Sequence, residues 1–270
     1  MQNKVYGLIL RKAFMRISKI MRSELQSESL NINKFYKDHY ASYLEDNKDL
    51  LGPRLKRILE LFQKEKPSNI LDIGCGNGKF AYLLGKVTNA EVTGIDVSES
   101  AVALACQKIE AIRVDVGQDI YPFKDGAFNS VFCGEIIEHL FNTDHLLDEI
   151  YRVMAKDGFC ILTTPNLAAW YNRISLALGY QPFYTEVSIY HNVGKLSSKG
   201  GMTSTGHIRG FTYRSLKELI EIHNFKIIKA YGVHDPHIPS PLNIIDRIAS
   251  FLPSMGSDII IMFKKAEELN

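Results

Sequence analysis

The sequence predicts an α/β fold, a doubly wound, mostly parallel sheet with helices on both faces. Two features predict it. Short apolar strands alternate with helical stretches from Asn69 onward, and a glycine-rich loop follows the first of those strands. The 270 residues are 46% apolar and 23% charged, ordinary values for a globular chain able to bury a full core. No apolar run approaches the ~18 residues of a membrane span, and no secretory signal is read. Cys75, Cys106, Cys133 and Cys160 form no CxxC pair. That spacing argues against a zinc ribbon or a disulfide framework, and the expected location is a reducing cytoplasm.

The elements are expected in the following order. Residues 1–25 read as a basic amphipathic helix, with Ile9, Ala13, Ile17 and Ile20 opposite Arg11, Lys12, Arg16 and Lys19. A Tyr-rich segment with Tyr36, Tyr40 and Tyr43 follows, then a helix from about Pro53 to Gln63. Residues 1–66 thus form an N-terminal region ahead of the main domain at 67–270. The strands are NILDIG, EVTGIDV, AIRVDV, SVFCGE and FCILTTP, with helices after the first, second and fourth. The last of these helices is expected to run from Ile136 to Met154. Residues 166–210 lack strong periodicity and are too long for a plain connection, so they are expected to form a substrate cap. Trp170, Tyr171, Arg173, Tyr180, Phe183 and Tyr184 are its pocket candidates, with a small cap core as the alternative. A helix from Tyr213, the strand FKIIKAY, a helix near Leu242 and the strand DIIIMF complete the chain.

Charge restricts the partners. The net charge is +2, but six cations precede the first acid, Glu24. The rest carries 26 basic against 30 acidic residues, near −4. Such a body offers no electrostatic funnel for nucleic acid, which is not expected as a partner. The basic N-terminal helix is read as a lid over the site, a peripheral membrane contact, or a targeting segment.

The loop LDIGCGNGKF places Gly74, Gly76 and Gly78 at every second position. Such a loop gives a tight strand-to-helix turn and lets a ligand approach backbone. The dinucleotide fingerprint is GxGxxG; here the spacing is GxGxG, with Asp72 two residues before the first glycine. A carboxylate there suits a cationic amino group better than a pyrophosphate. Asp96 ends the second strand, where a carboxylate can accept from ribose hydroxyls. Asp115 ends the third, within reach of an adenine amino group. An amine, a ribose and an adenine without phosphate describe S-adenosylmethionine.

On ILDIGCGNGKF, TGIDVSESAV, the VDV at 114–116 and FCGEIIEHL, the chain resembles the class I S-adenosylmethionine-dependent methyltransferases. The resemblance covers residues 67–165 well and the remainder loosely. It implies a seven-stranded Rossmann-like sheet with an antiparallel last strand, and methyl transfer from sulfonium to a nucleophile. The cofactor would be lined by Asp72, Gly74, Cys75, Gly76, Gly78, Asp96, Val97, Asp115, Val116 and Glu135. Tyr36, Tyr40 and Tyr43 resemble the aromatics of an entry helix that covers it.

EIIEH, Glu135 to His139, follows the fourth strand. As the first turn of a helix it would place Glu135, Glu138 and His139 on one face. Three readings stand. Glu-x-x-Glu-His is similar to the metal motif of the ubiquinone-pathway O-methyltransferases and of the small-RNA 3′-end 2′-O-methyltransferases. That likeness implies a divalent site of Glu135, Glu138, His139 and His207, the last from TGHIRGFTYRSL. Two carboxylates and two imidazoles suit Mn, Fe, Co or Zn, and Mg less well. In the second reading His139 and Glu135 act on the acceptor directly, without metal. In the third the acids merely complement a helix dipole. The expected activity is O-methylation of a small-molecule, glycan or lipid-linked hydroxyl. RNA 2′-O-methylation, a nicotinamide-dependent oxidoreductase and a non-catalytic binding protein are the rivals.

Overall fold

The computed structural model describes residues 52–188, 191, 193–196 and 206–267. The expectations for the basic helix at 1–25 and for Tyr36, Tyr40 and Tyr43 lie outside these residues. Helix α1, Pro53–Glu65, opens on proline, whose fixed φ suits a first helical turn. It stops where Lys66 turns left-handed. It buries Ile58, Leu59, Leu61 and Phe62, and the Phe62 ring lies 6.1 Å from Phe132 and 5.4 Å from Phe159.

Then come β1 (Asn69–Ile73), α2 (Lys79–Thr88), β2 (Glu91–Asp96), α3 (Glu99–Ala105), β3 (Glu110–Arg113) and β4 (Phe128–Gly134). After these lie α4 (Thr143–Val153), β5 (Met154–Pro165), α5 (Trp170–Ala177), α6 (Tyr213–Ile222), β6 (Phe225–Val233), α7 (Leu242–Ala249) and β7 (Asp258–Lys265). The sheet has seven strands in the order β3-β2-β1-β4-β5-β7-β6. Strands β1 to β5 are parallel, and β7 runs antiparallel to both β5 and β6. The central strands read as continuous apolar runs because both faces are covered; Ile70, Leu71 and Ile73 are fully buried.

The chain winds outward from β1 to β3, then returns to lay β4 on the other side of β1. Ligands of open α/β sheets bind at such a reversal, beyond the carboxyl ends of the strands. Here those ends carry the glycine loop and EIIEH. No described helix is long and apolar enough to cross a membrane.

Two expectations need correction. EIIEH does not begin a helix. The Glu135 amide still donates to the Thr163 carbonyl at 3.0 Å, continuing the β4–β5 ladder, and Glu135 then turns left-handed at φ +57°. Ile137–His139 form one 3-10 turn, Leu140 is extended, and α4 starts only at Thr143. The helix begins there because the Asn142 side chain accepts from the His145 amide at 3.1 Å, whereas Ile136 provides no side-chain cap. The second correction is that residues 166–210 contain a helix, α5, inside the expected irregular cap.

Because Phe62 joins α1 to two strands, Phe62→Ala is expected to cost about 3–5 kcal/mol. Urea unfolding with an unchanged denaturant slope checks it.

Candidate active site

Asp72, in the middle of the sheet, is buried, and among the described residues no hydrogen bond reaches its carboxylate. Burial, with Asp96 adding, pushes its carboxyl up to about 7. Asp96 is already engaged: it accepts from the amides of Gly76 and Ser98, each at 2.9 Å. It thereby ties the glycine loop to the start of α3. The three glycines all have positive φ, yet they serve differently. A Cβ on Gly74 would lie 2.1 Å from Ile136 Cδ1, and one on Gly78 would lie 3.0 Å from Ala105. Those two allow close packing, while Gly76 faces open space and leaves backbone accessible to a ligand.

The other residues expected to line a cofactor fall into two groups. Val97 is exposed at the edge of the reversal. Asp115 lies two residues beyond the end of β3, where it accepts from the Gly117 amide at 3.1 Å and from Gln118 Nε2. Cys75 and Val116 turn their side chains inward. The Cys75 thiol packs on Gly94, is raised to about 12 by burial, and its amide donates to the Ile95 carbonyl. Val116 points into the core, and its carbonyl accepts from the Tyr121 hydroxyl at 3.0 Å. Both side chains belong to the packed interior behind the strand ends.

Glu135 faces β5 and α1. Thr163 Oγ1 donates to it at 2.9 Å, and it pairs with Arg54, which also lies 3.6 Å from Asp258. Burial and Glu135 push the Asp258 carboxyl up to about 7. Neither Arg54 nor Asp258 was a sequence-level candidate. The available signal was an acid opening the otherwise apolar strand DIIIMF.

The structure brings together Glu138, His139 and His207, and Glu135 stands outside the group. One ligand atom from each of the three lies within 4.8 Å of the others. Glu138 is buried: Oε2 accepts from Thr164 Oγ1 at 3.0 Å, but Oε1 has no partner. Burial, with Glu135 adding, pushes this carboxyl up to about 8. His207 Nε2 faces Oε1 across 4.0 Å. Both imidazoles are oriented by carbonyls: His139 Nδ1 donates to Gly206 at 3.2 Å, and His207 Nδ1 donates to Tyr184 at 3.0 Å. A carbonyl only accepts, so each Nδ1 carries the proton and each Nε2 keeps a lone pair. A cavity of ≈ 10 Å³ beside Glu138 and His207 is lined by Phe183, Tyr184 and Arg209. Within the cap, Tyr171 packs between Trp170 and Phe183, a small aromatic core. Tyr184 reaches toward the histidines, its ring 6.2 Å from His207.

A family model described as "Methyltransferase domain" matches residues 40–230. The chain belongs to the methyltransferase-domain family. The 18S rRNA (guanine-N(7))-methyltransferase bud23 of Schizosaccharomyces pombe is 37% identical over 41% of this chain and 43% of its own. The 27-O-demethylrifamycin SV methyltransferase of Amycolatopsis mediterranei is 29% identical over 47% of this chain and 48% of its own. The chain thus spans less than half the length of each of these methyltransferases, whose names cover nitrogen and oxygen acceptors. A SAM-dependent methyltransferase of Archaeoglobus fulgidus shares the fold, with TM-score 0.55 and 20% identity over 84% of this chain and 100% of its own.

Asp72 makes stability of this methyltransferase-domain chain pH-dependent. Its carboxyl sits near 7 in the folded state against an ordinary 3.8. Its contribution is therefore full below pH 3.8 and is lost as pH rises through about 7. Asp72→Asn removes that slope. Relative to wild type it is expected to gain a few kcal/mol between pH 4 and 7.5, at about 1.4 kcal/mol per unit. Urea unfolding of cofactor-free protein at the two pH values checks it.

Proposed function

We propose that the protein transfers a methyl group from S-adenosylmethionine to a hydroxyl, with a divalent metal held by Glu138, His139 and His207. One observation carries the reading: a buried carboxylate oxygen without a partner faces an imidazole nitrogen whose lone pair is also unused. Such a buried oxygen costs stability unless a cation takes it. One carboxylate and two imidazoles suit Mn, Fe, Co or Zn better than Mg. The 4.0 Å gap from His207 Nε2 to Glu138 Oε1 fits metal–ligand bonds of about 2.0–2.2 Å. Glu135 is not a ligand in this reading; it orders Arg54 at the mouth of the site.

S-adenosylmethionine supplies a methyl already activated by its positive sulfur, and the ion supplies Lewis acidity that lowers the pKa of an acceptor hydroxyl. The remaining work is positioning. Asp72 would take the amino group, and its carboxyl would give up its proton to do so. Asp96 has lone pairs left for the ribose hydroxyls after receiving two amides, and Asp115 would take the adenine amino group. Gly76 admits the cofactor to the loop backbone. Tyr184, Phe183 and Arg209 border the acceptor side. A small-molecule, glycan or lipid-linked acceptor agrees with the near −4 body.

In metal-stripped protein with S-adenosylhomocysteine, Mn, Co or Zn is expected to raise the melting midpoint by several degrees. Glu138→Ala and His207→Ala are expected to abolish that response while still binding S-adenosylhomocysteine. No metal response in the wild type would overturn the metal assignment and leave the His139 Nε2 lone pair as the base. Separately, Asp96→Ala is expected to weaken S-adenosylhomocysteine binding at least tenfold by calorimetry; unchanged affinity would sink the ribose placement.

A further inference from the structure

Two helices beside the site are inside out. A surface helix normally turns its apolar stripe to the core. In α7 the only buried residue is its acid, Asp246, while Ile244 and Ile248 are exposed, the latter by 63%. In α5 the buried residues are Asn172 and Ser175, while Leu176 and, just past the helix end, Leu178 are exposed. Phe251 and Leu252, just after α7, continue the apolar surface at 58% each.

The inversion is locked by hydrogen bonds. Asp246 accepts from Trp170 Nε1 at 2.8 Å, from Ser257 Oγ at 3.0 Å and from the Asp235 amide at 2.7 Å. Asn172 donates to the Asn166 carbonyl and accepts from the Phe183 amide at 2.7 Å. Turning either helix to bury its leucines or isoleucines would strand these groups, at a cost no exposed side chain recovers. The Trp170–Asp246 bond also joins the two helices at their buried sides. The exposed charge of this surface has one sign. Arg173 and Arg247 are exposed, α5 has no acid, and the acid of α7 is buried. Residues 250–256 add no charge.

We infer that this face docks on an anionic lipid bilayer. Exposed apolar residues flanked by arginines, with no exposed carboxylate, match the interface of a membrane carrying negative headgroups. A protein partner would need no such sign bias. The position adds a consequence. Helix α5 leaves β5 after Pro165 and α7 precedes Asp258 of β7, and these two residues pair at the carboxyl edge that carries EIIEH. Docking there turns the acceptor side of the site toward the bilayer. The inference rests on the face itself and not on the methyl-transfer reading.

The test is co-sedimentation of the full chain with phosphatidylglycerol or phosphatidylcholine vesicles. The variants are Ile244→Glu/Ile248→Glu and Leu176→Glu/Leu178→Glu. The wild type is expected to pellet several-fold more with phosphatidylglycerol. Each variant is expected to lose at least fivefold of that binding while keeping the melting midpoint and the S-adenosylhomocysteine response of the wild type. Wild type that pellets with neither vesicle overturns the inference, as do variants that pellet like wild type, because binding then lies elsewhere in the chain. A wild-type dimer in light scattering that the variants convert to monomer, without vesicle binding, assigns the face to a second copy and also overturns it. Absence of any S-adenosylhomocysteine response in the wild type counts against the methyl-transfer reading alone.

Discussion

The carbonyl of Glu138 accepts two amides, from Ile208 at 3.0 Å and Arg209 at 3.1 Å, and the site depends on that junction. It fastens the end of the cap to the turn after β4, across some seventy residues of chain. Arg209 Nε adds a bond to the Leu140 carbonyl at 2.9 Å. A short parallel bridge between Asn166 and Phe211 holds the same segment against the end of β5. His207 therefore meets Glu138 and His139 through backbone geometry, and no side-chain attraction is needed to bring the three together. A helix through EIIEH would have used the Glu138 carbonyl for its own ladder. The 3-10 turn leaves it free to receive the cap.

That competition explains where the sequence was misleading. Glu135, Glu138 and His139 have helical spacing, and side-chain pattern carries no record of the Thr163 carbonyl that claims the Glu135 amide. The strands and the glycine loop were legible because burial on both faces and a tight turn each impose a local composition. The proximity of His207 was legible only through resemblance. Arg54 and Asp258 were not legible, because they meet about two hundred residues apart in sequence. Helix α5 was missed for a different reason. Its leucines face outward and its asparagine and serine face inward, so the usual core stripe is absent.

The three raised carboxyls have one cause. Asp72, Glu138 and Asp258 lie along the sheet edge formed by the carboxyl ends of β1 and β4 and the amino end of the antiparallel β7; desolvation raises all three, and Arg54 opposes the rise at Glu138 and Asp258. A fold selected for stability alone would replace such groups with apolar side chains. Retaining them makes sense where ligands bring the missing positive charge. The two proposed cation sites then differ in kind. Asp72 is a lone carboxylate below a glycine loop, suited to an ammonium that approaches from one side. Glu138 shares its oxygen's surroundings with two imidazole lone pairs, a mixed oxygen and nitrogen donor set that suits a transition metal.

The same logic of satisfied interiors shapes the outside of the molecule. Asp246 and Asn172 occupy positions where a leucine would ordinarily sit, and their hydrogen bonds tie the two helices to Ser257 ahead of β7 and to Asn166 and Phe183 of the cap. With the polar groups turned inward, the aliphatic side chains Leu176, Ile244 and Ile248 face outward. Hydrophobic exposure here follows from polar burial, and the two lie back to back on helices eight residues long. A surface of this kind is held open by the interior, so a bound bilayer would meet a face already formed. Removing Asp246 would loosen that face from behind without touching any residue on it.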